Sequence, residues 1–367
     1  MRARVVAPVP WFPSPADTFG KYATFARVPH EETRFGIPIT HPKYLVIPKV
    51  GMNAAPFLLY LAARPAIERI LRSGYDFDLI DAHHFYPGGV AAVMLGRHFD
   101  KPVTVTARGT DVNLAPRYAV PRRMIRWTAA NAAGAITVCR ALKDALVEIG
   151  VEADKVRVFR NGVDLERFRP LDRATARRTL DLQPPVVASV GDLISRKGHH
   201  LVIQALAKLP DAHLVIAGDG PEAPALKRLA KGLEMEGRVR FLGAVANERL
   251  REVYSAADVL VLASDREGWP NVLLEAMACG TPVAATDVWG NAEVVAAPAA
   301  GRLIPRRDPD AIADTVRALL ADPPERADTR AYAEQFDWDE TTQDQLNLFR
   351  EILSRRSATR GQVAKPA

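Results

Sequence analysis

The chain has 367 residues, 48% of them hydrophobic and 25% charged, with two cysteines and a formal net charge of +6. That length suits about two domains, and the apolar content gives each a core, which excludes a disordered chain and a small disulfide-stapled fold. No stretch reaches the ~20 apolar residues of a membrane-spanning helix, and the opening MRARVVAPVPWFP lacks the apolar centre of a signal peptide, so a cytoplasmic protein, soluble or peripherally bound at the inner face of the membrane, is expected. Cys139 and Cys279 lie far apart in apolar surroundings and read as buried small hydrophobes. Residues 1–170 carry 24 Lys and Arg against 15 Asp and Glu, residues 171–367 carry 25 against 28; a basic first half suits nucleic acid, an anionic membrane face or an anionic sugar chain, and charge alone does not choose.

Arg4 to Val9 reads as a short buried strand, and Trp11 to Pro56 as Pro-rich loops with strand-like pieces near Ile37 and Tyr44 to Ile47. Helical spacing follows over Phe57–Ser73, Val90–Phe99, Arg117–Ala130 and Arg140–Ile149, alternating with strands over Phe77–Ala82, Pro102–Thr106, Gly134–Val138 and Val156–Phe159. Leu165 to Pro185, with its prolines and charges, suits an interdomain connection. The alternation restarts with strands near 186–190, 212–217, 239–242, 259–262, 282–285 and 301–304, separated by helices that include Pro270 to Cys279. Two doubly wound α/β domains of Rossmann type are predicted, 1–170 and 171–337, with a cleft between their strand ends; a helix over 338–355 packs back on the first domain, and 356–367 is a disordered tail.

The chemistry falls at predicted strand ends. In SDREGWPNVLLEAMACG, Ser264 to Gly280, Glu267 sits in a loop and Glu275 in an apolar helix, where a merely solvated acid would have little polar company. The helix start offers N–H groups and a positive dipole end to an anion or hydroxyl-rich ligand. Arg196 and Lys197, in GDLISRKG after the strand at 186–190, can neutralise a diphosphate, although as a surface pair alone they would mean little. His83 and His84 follow FDLIDA, and Asp111 in TARGTDVN either orients an acceptor hydroxyl or caps its turn. Arg117, Arg122, Arg123 and Arg126 with Trp127 form either a basic amphipathic patch for anionic lipid or a solvated helix face. No cluster has metal-ligand spacing and no nucleic-acid recognition module accompanies the basic residues.

Together DAHHFYPGG, TARGTDVN, RNGVD, GDLISRKG and SDREGWPNVLLEAMACG resemble glycosyltransferase family 4, the retaining enzymes of GT-B fold. The resemblance spans Arg4 to about Arg355 and implies a retaining transfer from a nucleotide-diphosphate sugar to a glycan or lipid-linked acceptor in cell-surface polysaccharide synthesis. It implies that Glu267 with Gly268, Trp269, Pro270, Asn271 and Val272 holds the donor sugar, Glu275 the ribose, Arg196 and Lys197 the diphosphate, and His83 the region near the anomeric carbon. Asp111 falls on the acceptor-side loop; His84 falls at a variable position. The leaving phosphate would help take the acceptor proton while the cations stabilise it, so neither metal nor other cofactor is expected. Family members place another strand, a glycine-rich loop and a helix before Arg4, so either translation starts upstream or the chain is a catalytically impaired nucleotide-sugar-binding protein. Another GT-B enzyme, an epimerase or a phosphorylase, is the remaining alternative; a phosphorylase would need a pyridoxal-bearing lysine motif, which the chain does not display.

Overall fold

The computed structural model describes residues 1–16, 18, 21–46 and 51–363. The chain divides into two compact units, Met1–Thr137, Lys143–Arg157 and Leu346–Ala367 in the first, Val138–Leu142 and Val158–Gln345 in the second. The division falls at 157/158, upstream of the boundary expected at 170.

The first unit begins with short strands: β1 (Val5–Val6), β2 (Val9–Pro10), β3 (Glu31–Arg34), β4 (Ile37–Thr40) and β5 (Lys43–Tyr44). They form a three-stranded sheet in the order β1-β4-β3 and a two-stranded sheet of β2 and β5. The single buried strand expected over Arg4 to Val9 is therefore two pieces, exposed or half-buried, in two different sheets. Pro8 lies between them and brings no N–H to a ladder, which ends the first piece. Lys21–Arg27 is helical within the stretch expected to be irregular. The strand expected near Tyr44 reaches only Tyr44, and Ile47 lies outside the described residues.

The larger sheet of this unit holds β6 (Ile80–His83), β7 (Val103–Ala107), β8 (Gly134–Thr137) and β9 (Val156–Val158), in sequence order. β6 pairs with β7 and β7 with β8 in parallel, Ile80 opposite Val103 and Thr104 opposite Gly134. Helices Ala55–Arg72, Val90–Phe99, Ala119–Asn131 and Arg140–Glu148 alternate with them, as the apolar spacing predicts. Each βα turn thus leaves its loop at the carboxyl end of a parallel strand, where ligands of such sheets bind. The last helix, Trp338–Val363, runs past Arg355 through residues expected to be disordered. Its Leu348 and Ile352 are buried, and Glu351 and Arg356 pair with Arg157 and Asp100 at 2.6 and 2.7 Å; this packing supplies the partner surface that a polar, basic sequence does not advertise.

The second unit is one six-stranded sheet of β10 (Val186–Val190), β11 (His213–Ala217), β12 (Val239–Gly243), β13 (Val259–Leu262), β14 (Val283–Thr286) and β15 (Gly301–Ile304), in the order β12-β11-β10-β13-β14-β15. Every pair is parallel. β10, β13 and β14 are buried along their whole length, as continuous apolar runs covered on both faces should be. Arg173–Leu180, inside the expected connection, is a helix capped by Asp172, which accepts from Thr175 N at 2.8 Å. Cys139 and Cys279 are free and buried, and burial pushes both thiols up to about 12.

The chain winds outward from β10 to β12, then returns to lay β13 on the other side of β10. The carboxyl ends of β10 and β13 therefore flank a topological switch point, the place where helices diverge to opposite faces and leave a crevice. The loops from these two ends touch through Gly198, whose φ is +74°. A Cβ there would stand 2.1 Å from the Ala263 carbonyl oxygen. Gly198→Ala should cost at least about 1–3 kcal/mol through the positive φ and the clash together, read as a lower urea midpoint with an unchanged slope.

Candidate functional site

In the second unit the loop after β10 carries a tight turn, Ser195–Lys197, and the loop after β13 carries Glu267. Asp265 N donates to the Arg196 carbonyl at 3.0 Å, which fixes the two loops in register. Glu267 is 9% exposed. Its Oε1 accepts from Lys197 Nζ at 2.7 Å and from Ser264 Oγ at 2.6 Å, with Arg196 Nη1 at 3.5 Å. Arg196 Nη1 also donates to the Arg266 carbonyl at 2.8 Å. A guanidinium carries five N–H donors in a fixed fork, and both of these contacts use the same nitrogen. Two cations against one carboxylate leave the crevice a surplus positive charge, the condition for holding a diphosphate.

From the same loop the chain enters helix Asn271–Ala278, with Pro270 as its cap rather than its first turn. The first amides of a helix have no intrahelical partner and point toward the loop. Asn271 Oδ1 accepts from Asn161 Nδ2 at 3.2 Å, and Arg160 lies 5.8 Å from the Trp269 ring centre. Trp269 itself is buried against Phe336, 6.0 Å between ring centres. Gly268 and Gly290 meet so closely that a Cβ at Gly290 would lie 2.0 Å from the Gly268 carbonyl oxygen. Val272 is half-buried in the first turn.

Glu275 lies further along this helix. Tyr254 is wholly buried and donates its hydroxyl to Glu275 Oε2 at 2.7 Å. Burial pushes the Glu275 carboxyl above its usual range, while the Tyr254 hydroxyl and the Arg167 charge pull it back. Burial and the adjacent carboxylate hold the Tyr254 phenol well above its own range, so it stays a donor. Glu267 and Glu275 are thus two different acids, one ion-paired and one set against a neutral hydroxyl.

Sequence reasoning passed over two residues behind this arrangement. Arg307, from the loop after β15, donates Nε to the Ala263 carbonyl at 2.8 Å and Nη2 to the Ser195 carbonyl at 3.3 Å, one contact to each loop of the switch point. His199, the first residue of helix His199–Leu206, is 3% exposed. Its Nδ1 lies 2.8 Å from Ser189 Oγ and its Nε2 3.2 Å from the Asp192 carbonyl. A carbonyl only accepts, so Nε2 carries the proton and Nδ1 accepts from Ser189.

In the first unit His83 ends β6, one residue earlier than a loop position, and its side chain is half exposed. Arg108 Nη2 donates to His83 Nδ1 at 2.9 Å, which leaves the ring proton on Nε2, 3.8 Å from Asp81 Oδ2. Burial first, then the Arg108 charge, hold His83 below the ordinary imidazole range against the pull of Asp81. His84 stands at φ +67° with an exposed side chain. Asp111 is almost fully buried: Oδ2 accepts from Phe85 N at 2.7 Å, and Oδ1 from Gly109 N at 2.8 Å and Arg108 N at 3.1 Å. Of the two readings open in the sequence, these bonds describe the turn cap, extended across to the loop after β6. The structure thus brings Arg196, Lys197 and Glu267 into one cluster, places Gly268 to Glu275 directly after it, and puts His83 and Asp111 on adjacent strand ends of the other unit.

Asp111→Ala should cost roughly 3 kcal/mol, because it strips three backbone N–H groups of a charged acceptor; an acid that served only a ligand would leave the urea midpoint unmoved. For His199, burial holds the imidazole at about 4, with Lys197 and His200 pushing the same way and Asp192 opposing. The unfolded state then binds more protons below the ordinary value of ~6.5. The stability is fully present above that value and falls as pH drops toward 4, by up to about 3 kcal/mol. Between pH 7 and 4, His199→Gln should lose visibly less stability than the wild type in urea titrations.

Comparison with known proteins identifies the family. The family model of glycosyl transferases group 1 matches residues 172–336, and that of glycosyltransferase family 4 matches residues 22–167. A D-inositol 3-phosphate glycosyltransferase of Corynebacterium urealyticum is 34% identical over 307 residues, 76% of this chain and 72% of that one. One from Mycobacterium leprae is 39% identical over 220 residues, 56% of this chain and 51% of that one. Among solved structures, sucrose-phosphate synthase from Thermosynechococcus elongatus superimposes with a TM-score of 0.77 at 24% identity, covering 90% of this chain and 87% of that one. Anabaena HepE, in complex with UDP and glucose, gives 0.72 at 24% identity, covering 85% and 86%. These structural likenesses carry the two-domain Rossmann fold, and the sequence matches carry the activity class: the chain belongs to glycosyltransferase family 4, an enzyme of GT-B type.

Proposed function

We propose that the protein transfers a sugar, with retention of configuration, from a nucleotide-diphosphate sugar to a hydroxyl of a glycan or lipid-linked acceptor in the assembly of a cell-envelope polysaccharide. The observation that carries this reading is the Arg196–Lys197–Glu267 cluster at the β10/β13 switch point, where two cations meet one buried carboxylate. Arg196 and Lys197 hold the diphosphate and stabilise the charge that grows on it as the glycosidic bond breaks. The leaving phosphate oxygen takes the acceptor proton from the same face. Glu267 holds Lys197 in place and accepts from donor-sugar hydroxyls together with the chain from Gly268 through Trp269, Pro270 and Asn271 to Val272.

Glu275 takes the ribose: the Tyr254 hydroxyl occupies Oε2 and leaves Oε1 for a ribose hydroxyl. The family resemblance assigns His83 to the region near the anomeric carbon of the donor sugar, and Asp111, held by three backbone N–H groups, shapes the acceptor-side loop. With two cations on the diphosphate the reaction needs no divalent ion and no cofactor. Arg122, Arg123 and Arg126 are exposed on helix Ala119–Asn131, beside exposed Tyr118 and Val120, a face suited to anionic lipid and hence to a lipid-linked acceptor. The relatives named for inositol 3-phosphate favour one further acceptor class, a phosphorylated polyol, which the basic excess of residues 1–170 would also suit.

A panel of UDP-, GDP- and ADP-sugars read by thermal shift tests the donor half without an acceptor. One nucleotide class at 100 times its dissociation constant should stabilise the protein by ~2.7 kcal/mol. Arg196→Ala and Glu275→Ala should each abolish that shift while remaining folded. A shift that survives both substitutions, or none with any donor, overturns the reading.

A further inference from the structure

The loop that carries Arg196 and Lys197 is short of regular structure. Between β10 and the helix at His199 it offers one three-residue turn, bounded by Gly191 and Gly198. Yet two flexible side chains on it must meet a diphosphate in one geometry. The ties to the neighbouring loop, Asp265 N to the Arg196 carbonyl and Arg307 Nη2 to the Ser195 carbonyl, hold its outer part. Its two ends are tied by another group. The His199 imidazole, just past the end of the loop, donates Nε2–H to the Asp192 carbonyl at its start, 3.2 Å away, and accepts at Nδ1 from Ser189 Oγ of the central strand, 2.8 Å away. Both His199 and Ser189 are buried, at 3% and 2% exposure.

We propose that His199 is a positioning residue for the diphosphate site: its neutral imidazole closes the loop Asp192–Gly198 on itself and fastens it to β10 through Ser189, so that Arg196 and Lys197 are held ready for the diphosphate. This rests on the reading of Arg196 and Lys197 as the diphosphate-binding pair. The imidazole touches neither the cations' head groups nor Glu267 among the contacts described; it acts through the backbone that carries them. The proton position matters as much as the ring. The bond that closes the loop needs a donor toward Asp192, and the Nε2–H tautomer supplies it while Nδ1 accepts from Ser189. A protonated ring would turn Nδ1 into a second donor and set a positive charge beside Lys197.

Two substitutions separate the bonds. In His199→Gln the longer amide reaches where Nε2 stood and can donate to the Asp192 carbonyl. In His199→Asn the shorter amide stays near the Nδ1 position and leaves that carbonyl without its partner. The readout is the diphosphate increment, the ratio of dissociation constants for nucleoside and nucleoside diphosphate, measured by calorimetry on the full chain with uridine and UDP, guanosine and GDP, and adenosine and ADP. The base and ribose cancel in that ratio, so a general loosening of the fold does not move it.

His199→Asn should lower the increment at least fivefold, with nucleoside affinity close to wild type, and His199→Gln should restore it to within twofold. Nitrogen-15 NMR of labelled protein should show His199 neutral with the proton on Nε2 at pH 6. An unchanged increment in His199→Asn overturns the proposal. So does an equal loss of nucleoside affinity, increment and melting temperature in both variants, which marks a core histidine and nothing more. Lys197→Ala separates this failure from a failure of the donor site. If Lys197→Ala collapses the increment while His199→Asn does not, only the role of His199 falls; if the wild type has no increment, or Lys197→Ala leaves it intact, the diphosphate assignment falls and takes this proposal with it.

Discussion

The close approach of Gly198 to the Ala263 carbonyl is the constraint on which the second unit's chemistry depends. It brings the loop after β10 within backbone contact of the loop after β13, and only a residue without Cβ, at a φ of +74°, permits it. Given that contact, the Asp265 N bond to the Arg196 carbonyl follows, and the Lys197 ammonium falls within 2.7 Å of Glu267. Strand order makes the contact possible at all. Because the chain winds from β10 out to β12 and back to β13, two loops separated by some seventy residues of sequence leave the sheet side by side.

The two glutamates between Ser264 and Gly280 show how burial and partners set apart two acids eight residues from each other. Glu267 is buried, but its charge is matched by Lys197, Arg196 and the Ser264 hydroxyl, which repay much of the desolvation. Glu275 has Tyr254 as its close polar partner, with Arg167 acting as a charge, and burial raises its carboxyl. A hydrogen-bond donor reaching Glu275 would relieve that desolvation, whereas one reaching Glu267 would meet ion pairs already made.

Much of this was legible in the chain because its strands are continuous apolar runs, VVASV, VLVL and VAAT, punctuated by Gly and Pro turns, and such runs fix both the strand and its two-sided burial. The stretch before Pro56 was not, because strands of two to four residues carry too few positions for a period, and Pro8 and Pro10 cut what there was. The end of helix Trp338–Val363 was missed for a different reason: just past Arg355, Arg356 pairs with Asp100, a partner far away in sequence. Glu267, Arg196 and Lys197 were found by motif, while their mutual pairing needed the fold. His199 offered only a histidine beside another histidine, and the partners that distinguish it, Ser189 and Asp192, face it only once the loop has turned.

Asp111 shows why an acid at a strand end is not by itself a catalytic acid. Its burial, its place after a parallel strand and its family loop all match what Glu267 has. The partners decide. Three backbone N–H groups hold Asp111, and backbone donors cannot move away to release the carboxylate to a ligand. Glu267 is held by side chains, Lys197, Arg196 and Ser264, and a side chain can change rotamer where a backbone N–H cannot. An acid bonded to the main chain is committed to the shape of its loop, whereas an acid bonded to side chains keeps partners that can be exchanged.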